Sequence, residues 1–175
     1  MPAKKLFVAI AVFGLLAGCT HYHGPNTATP IGPITEFQSS NAVSIIIVQD
    51  PTREAVFSRY MEDKYVGNLG EWTESAMSIT KRELARRGLQ TMENAPKKLD
   101  MSIEYAKGEL NMFMKRFRTK LQVKTGDGYH GDYFGEYSRP LFATAFEIYH
   151  AADNAVADSV TKMLSDAEIV DYLGK

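Results

Sequence analysis

The chain has 175 residues, 45% hydrophobic and 23% charged, a mixture that supports a packed core and excludes wholesale disorder. Lysine and arginine number 20 against 21 acidic residues, for a formal net charge of −1. Nothing in that balance suggests nucleic-acid binding, which depends on clustered positive charge, and the single cysteine, Cys19, excludes an intramolecular disulfide.

The first residues read as a secretory signal. Lys4 and Lys5 form a short basic region, and Leu6 to Leu16 is apolar apart from Gly14. This run falls short of the roughly 20 residues that span a bilayer and suits the apolar region of a signal peptide. Leu16-Ala17-Gly18-Cys19 follows, and it resembles the bacterial lipobox. The resemblance implies diacylglyceryl transfer to the Cys19 thiol, cleavage after Gly18 and N-acylation of the new terminus. The only non-protein group expected is therefore covalent lipid on Cys19, a diacylglycerol and an N-acyl chain. Two or three acyl chains anchor stably where one is marginal. Thr20 stands where an Asp tends to retain a Gram-negative lipoprotein in the inner membrane, so by that sorting rule the outer membrane is expected. Cleavage removes Lys4 and Lys5 and leaves 157 residues, with 18 basic and 21 acidic, for a net charge of −3.

The expected organisation is a signal peptide over 1–18, the lipidated cysteine and a flexible tether over 19–42, and a single periplasm-facing domain over 43–175. The tether assignment rests on Pro25, Pro30, Pro33 and many Thr, Ser and Asn without apolar periodicity. His21-Tyr22-His23 has two metal-ligand types but no third beside them, so it reads as linker.

Val43 to Val48 is a β-branched run that reads as a strand buried on both faces, ended by Asp50-Pro51. Arg53 to Met61 is ambiguous, with a short helix as one reading. Leu69 to Arg87 reads as a helix. Asn68 serves as N-cap with Glu71 three residues on, Arg86 and Arg87 lie in the last turn, and Gly88 takes the left-handed position beyond. Its inward stripe is Leu69, Trp72, Ala76, Ile79 and Leu84. Leu89 to Met92 then forms a short strand, closing a right-handed β-α-β unit with the first.

After the break at Asn94-Ala95-Pro96, alternation from Leu99 to Tyr105 predicts a half-buried strand that bends at Gly108 and runs toward Met112. Phe117, Thr119, Leu121 and Val123 alternate with charged residues in the next strand. Gly126-Asp127-Gly128 makes a tight hairpin loop, and Tyr129 to Tyr137 returns. Pairing Thr125 with Tyr129 sets Leu121 opposite Tyr133 and Arg118 opposite Glu136. Ser138-Arg139-Pro140 starts the last long helix, with Phe142, Ala145, Tyr149, Ala152, Val156, Val160 and Met163 as its stripe. Ser165-Asp166-Ala167-Glu168 caps a short terminal helix carrying Ile169, Val170, Tyr172 and Leu173. The sum is an α+β domain: a two-layer sandwich with one mixed, largely antiparallel sheet of about five strands and two long helices on one face.

The search for chemistry finds no HExxH, phosphate-binding glycine loop or GxSxG, and the reading is noncatalytic. Asp127, His130 and Asp132 near the hairpin tip form the one drawable polar cluster. A pocket there would favour the alternative class, a small-ligand binder or an envelope hydrolase. Gly126-Asp127-Gly128 with Asp132 lacks the ladder of oxygen ligands a calcium loop requires. Lys115, Arg116, Arg118, Lys120 and Lys124 form the most one-sided charge feature. It reads either as the wet face of a strand or as a contact for an anionic surface such as phospholipid headgroups, lipopolysaccharide or peptidoglycan. Tyr129, Tyr133, Phe134 and Tyr137 read as packing residues before they read as a binding surface.

Several segments together resemble the YajG-type family of small Gram-negative lipoproteins. They resemble more loosely the lipopolysaccharide-assembly lipoprotein and the transport auxiliary lipoproteins. The segments are the lipobox at Cys19, the strand over 43–48, the helix end Glu83-Leu84-Ala85-Arg86-Arg87-Gly88, the strand end Leu121 to Gly128, and the tail from Ala155 to Leu173. The resemblance implies a noncatalytic, periplasm-facing domain with an envelope protein as partner, and it carries over no functional residue besides Cys19.

Overall fold

The computed structural model describes residues 19–34, 37, 41–60, 63–110, 114–140 and 144–174. The expected signal peptide, the lipobox-like residues Leu16, Ala17 and Gly18, and the expected Met61, Met112 and Phe142 positions lie outside them. Eleven elements follow in order: β1 (Thr20–His23), β2 (Ala42–Ile47), β3 (Glu54–Tyr60), β4 (Asp63–Asn68), α1 (Leu69–Ala85), β5 (Gln90–Thr91), β6 (Lys97–Leu110), β7 (Met114–Thr125), β8 (His130–Pro140), α2 (Ala145–Leu164) and α3 (Ala167–Gly174).

The main sheet has five strands in the order β5-β2-β6-β7-β8. β2 runs parallel to β5 and to β6, and the β6-β7-β8 meander is antiparallel. The expected hairpin register holds: Leu121 faces Tyr133 and Arg118 faces Glu136, and the Thr125 amide donates to the Tyr129 carbonyl at 3.0 Å. β6 breaks register between Ile103 and Tyr105, so its irregularity is a bulge there. One face of this sheet is dry. Leu99, Met101, Ile103, Phe117, Leu121 and Val123 are all at most 2% exposed, and each such side chain contributes roughly 1.5–3 kcal/mol on burial.

Both long helices cover that face. α1 starts where the Asn68 side chain accepts from the Glu71 amide, and Gly88 takes the positive φ of 84° beyond its end. Its Thr73 hydroxyl accepts from the Ile103 amide at 2.9 Å, fixing helix to sheet. α2 lies over β7 and β8, where the Thr119 hydroxyl donates to the Ala155 carbonyl at 2.9 Å. A Cβ built on Gly135 would stand 1.8 Å from that same carbonyl, so helix and strand approach as closely as glycine allows.

Five expectations are corrected. Where a short helix over Arg53 to Met61 is one reading, the described residues form the strand Glu54–Tyr60: β3 and β4 pair antiparallel, and β1 adds to β4 in parallel to make a second, three-stranded sheet, β1-β4-β3. β3 bulges between Val56 and Ser58, which turns both Phe57 and Ser58 inward and hides the strand's period of two. β2 is not buried on both faces, since Ile46 is 39% and Val48 58% exposed; helices cover one side of the sheet only. α2 begins after Thr144, which forms a reciprocal capping box with Glu147, and Pro140 ends β8 instead of opening the helix. Asp166 and not Ser165 caps α3, its carboxylate accepting from the Glu168 amide at 2.9 Å.

The largest correction concerns the expected tether. β1 begins one residue after Cys19, Thr29 is 3% exposed, and Ile31, Ile34 and Phe37 pack against the core. Arg82 on α1 donates to the carbonyls of Thr27 and Thr29 at 2.9 and 2.7 Å. The segment lacks apolar periodicity because it is held by backbone and side-chain hydrogen bonds more than by a continuous dry face.

Candidate functional site

The N-terminal strand places Cys19 at a defined edge of the domain. Cys19 is exposed, its carbonyl accepts from the Lys64 amide at 2.9 Å and its amide donates to Asp63 Oδ1 at 2.9 Å. The two histidines that follow do not act together. His21 stacks on Tyr65, with centroids 5.0 Å apart, and its Nε2 lies 3.5 Å from Asp63 Oδ2. His23 stacks on Tyr149 at 4.4 Å with planes 6° apart, and its Nε2 lies 3.0 Å from Asp153 Oδ1 on α2. That same carboxylate oxygen accepts from the Asn26 amide at 3.2 Å. Aromatic stacking on Tyr65 and Tyr149 and the buried Asp153 carboxylate thus clamp the strand.

The ligand atoms of Cys19, His21 and Asp63 fall within 4.8 Å of one another. Thiolate, imidazole and carboxylate are a set that a divalent transition metal accepts. A sulfur alkylated by lipid carries no thiolate charge, so the two uses of Cys19 exclude one another. Sequence spacing gives no sign of Asp63 here, because the parallel pairing of β1 with β4 brings it in from 44 residues away.

The basic row on the meander divides. Lys115 faces the dry side at 2% exposure, between the rings of Tyr65 and Phe117 at 5.7 and 5.9 Å, and burial pushes its ammonium pKa down. Arg116, Arg118, Lys120 and Lys124 lie on the opposite, wet face. Three of them have carboxylate neighbours: Arg116 with Glu136 at 2.9 Å, Arg118 with Glu109 at 3.1 Å and Glu136 at 3.2 Å, and Lys120 with Asp132 at 2.8 Å. Hydrogen bonding between Lys120 and Asp132 holds the ammonium pKa up and the carboxyl pKa down. The row is a lattice of paired charge with little net positive field.

The polar cluster at the hairpin also separates. Asp127 accepts from the Thr125 hydroxyl within its own turn, and Asp132 is held by Lys120 and by Gln122 Nε2, which donates to its Oδ1 at 3.1 Å. His130 sits exposed at the start of β8. The nearby tyrosines converge elsewhere: Tyr129 and Tyr133 each donate to Asp166 Oδ2 at 2.7 Å. Burial, and after it these hydrogen bonds, push the Tyr133 phenol pKa up. A groove of about 370 Å³ is lined by Tyr105, Arg118, Phe134, Gly135, Glu136 and Lys162, beside the edge strand β8 and away from the Asp127, His130 and Asp132 cluster. Along that edge Lys162 donates to the Phe134 carbonyl at 2.6 Å and the Glu136 amide donates to Asp158 at 2.9 Å. The free strand edge is thereby capped by helix side chains.

No helix among the described residues is long and apolar enough to cross a membrane. No family model matches the chain, and no curated protein matches it. Among solved structures, the fold is similar to that of protein XCC0632 from Xanthomonas campestris, which carries the family designation DUF330. The TM-score is 0.53 at 10% identity, over 87% of this chain and 95% of that one. At that identity the likeness is one of fold.

Proposed function

We propose that the chain is a lipid-anchored, periplasm-facing lipoprotein that works as a noncatalytic interaction or assembly component of the bacterial envelope. The observation that carries this reading is the position of Cys19. It follows a lipobox-like sequence, it is exposed, and it stands at the outer edge of an ordered strand, where an acyl chain would not have to enter the core. The chemistry of its amide also suits the modification. An N-acylated terminus keeps an N–H for the Asp63 carboxylate, so the modification costs no hydrogen bond there. Thr20, by the sorting rule for the residue after the lipidated cysteine, points to the outer membrane.

Binding rather than catalysis is supported by the wet face of the main sheet. Ile46, Val48 and Phe134 are exposed there at 39%, 58% and 53%, an apolar content that suits a protein partner. The β8 groove favours a second reading, small-ligand binding. Its walls are already engaged in ion pairs, Arg118 with Glu136 and Lys162 with Asp158. Substituting Phe134→Ala separates the two: loss of a cross-linked envelope protein supports the first, and loss of small-molecule binding with the protein partner retained supports the second. For the anchor, cells expressing wild type and Cys19→Ser are fractionated. Wild type in the outer membrane with the variant released is the expected result; wild type in the soluble fraction contradicts it.

A further inference from the structure

The three-stranded sheet turns one face inward, with Phe57, Tyr65 and His21 against Trp72 and Tyr149. Its other face is set by register. Tyr22 and Val56 both pair with Val66, and Thr20 and Arg59 both pair with Lys64, so these side chains form two adjacent rows across the sheet. One row is apolar and aromatic, with Tyr22 67% and Val56 44% exposed on either side of Val66. The other row carries two exposed cations, Arg59 and Lys64.

We propose that this face, presenting Tyr22, Val56, Arg59 and Lys64, lies directly against an anionic phospholipid bilayer. The inference rests on the lipid-anchor reading of Cys19 and adds an orientation to it. The argument is one of reach. A flexible tether would let the domain tumble, but Cys19 is bonded through its own amide and carbonyl to Asp63 and Lys64, and β1 starts at the next residue. Strand spacing of about 4.8 Å and a rise of about 3.3 Å per residue place all four side chains within roughly 10–15 Å of the cysteine. A thioether-linked diacylglycerol emerges at the headgroup level, so whatever surrounds Cys19 is held there. The surroundings have the composition that level favours. Tyrosine is the residue of membrane interfaces, lysine and arginine are drawn to anionic headgroups, and, among the described residues, the carboxylate beside Cys19, Asp63, is turned toward the Cys19 amide and His21. The face continues to Glu54 only at its far end, opposite Asn68.

Lipidation consumes the only native thiol, so an introduced cysteine reports alone. Lipidated Val56→Cys, Tyr22→Cys and Lys124→Cys proteins are bound to preformed vesicles of phosphatidylethanolamine and phosphatidylglycerol. They are then treated with a membrane-impermeant maleimide. Each rate is normalised to that of the same substitution in the soluble Cys19→Ser protein. At least tenfold protection at positions 22 and 56, with none at 124, is expected, and adding Arg59→Glu and Lys64→Glu should relieve most of it. Equal rates at all three positions on a protein whose N-terminal peptide is acylated would overturn the orientation and leave the anchor standing. Protection that ignores the two charge reversals would overturn the anionic partner. A second labelled thiol, at Cys19 itself, would show that the anchor is absent and would remove the basis of both.

Discussion

Replacing Asp153 with alanine should release the N-terminal strand while leaving the rest of the domain folded. Asp153 is 8% exposed, and its Oδ1 serves both His23 Nε2 at 3.0 Å and the Asn26 amide at 3.2 Å. A hydrogen bond to a charged group is worth about 1.5–3 kcal/mol, so losing two at the low end costs about 3 kcal/mol. α2 itself does not suffer, since alanine is the best helix former. At about 1.4 kcal/mol per factor of ten, opening of residues 20–26 should become roughly a hundredfold more frequent. Residues beyond Asn26 stay fixed by Arg82 through the carbonyls of Thr27 and Thr29. Hydrogen exchange read by mass spectrometry checks this directly. The peptide covering 20–26 should exchange about a hundred times faster in the variant, with β6 and β7 unchanged. Unaltered exchange over 20–26 would refute the view that this carboxylate clamps the strand.

Three further outcomes follow from named contacts. Gly135→Ala places a methyl about 1.6 Å inside ordinary contact with the Ala155 carbonyl and disturbs the Thr119 bond to it. The cost of about 3–4 kcal/mol should lower the melting temperature by about 10 °C, whereas Gly24→Ala, with nothing within 4 Å, should change it by less than about 2 °C. Thr144→Ala removes the capping box of α2 and should cost about 1 kcal/mol, or a fall of about 2–4 °C in the same thermal scan. The Asp166 carboxyl pKa is lowered: desolvation opposes the shift, and hydrogen bonds from Tyr129, Tyr133 and the Glu168 and Ile169 amides outweigh it. A depressed folded pKa gives stability that is present above the unfolded value near about 4 and is lost as pH falls through the folded one. Asp166→Asn should therefore flatten the acid side of the stability curve, measured by urea unfolding at successive pH values below about 5.

The parts of the fold legible in the sequence are those whose signals are local. The β7-β8 register followed from one glycine-flanked turn and two chemically sensible pairs, and α1 was bounded by Asn68, Glu71 and Gly88. Where the organising contact is distant, the sequence is silent. Nothing in Thr20-His21-Tyr22-His23 marks a strand, because its partner Lys64 to Gly67 lies more than 40 residues on and its histidines are held by Tyr65, Tyr149 and Asp153. The bulge at Phe57 erased the alternation of β3. Lys115 neighbours the basic row in sequence, but strand alternation turns it to the other face. Of the candidate site, Cys19 stands out in the sequence through the lipobox-like residues before it, whereas Asp63, Arg59 and Lys64 become its neighbours only through folding.

The central claim is that Cys19 becomes the lipidated N-terminus of the mature protein. Mass spectrometry of the N-terminal peptide from membranes of expressing cells tests it most directly. The account predicts a peptide that begins at Cys19 and carries a diacylglyceryl group and an N-acyl chain, with no leader peptide attached. A mature chain that begins elsewhere, or a Cys19 with a free thiol, would contradict it.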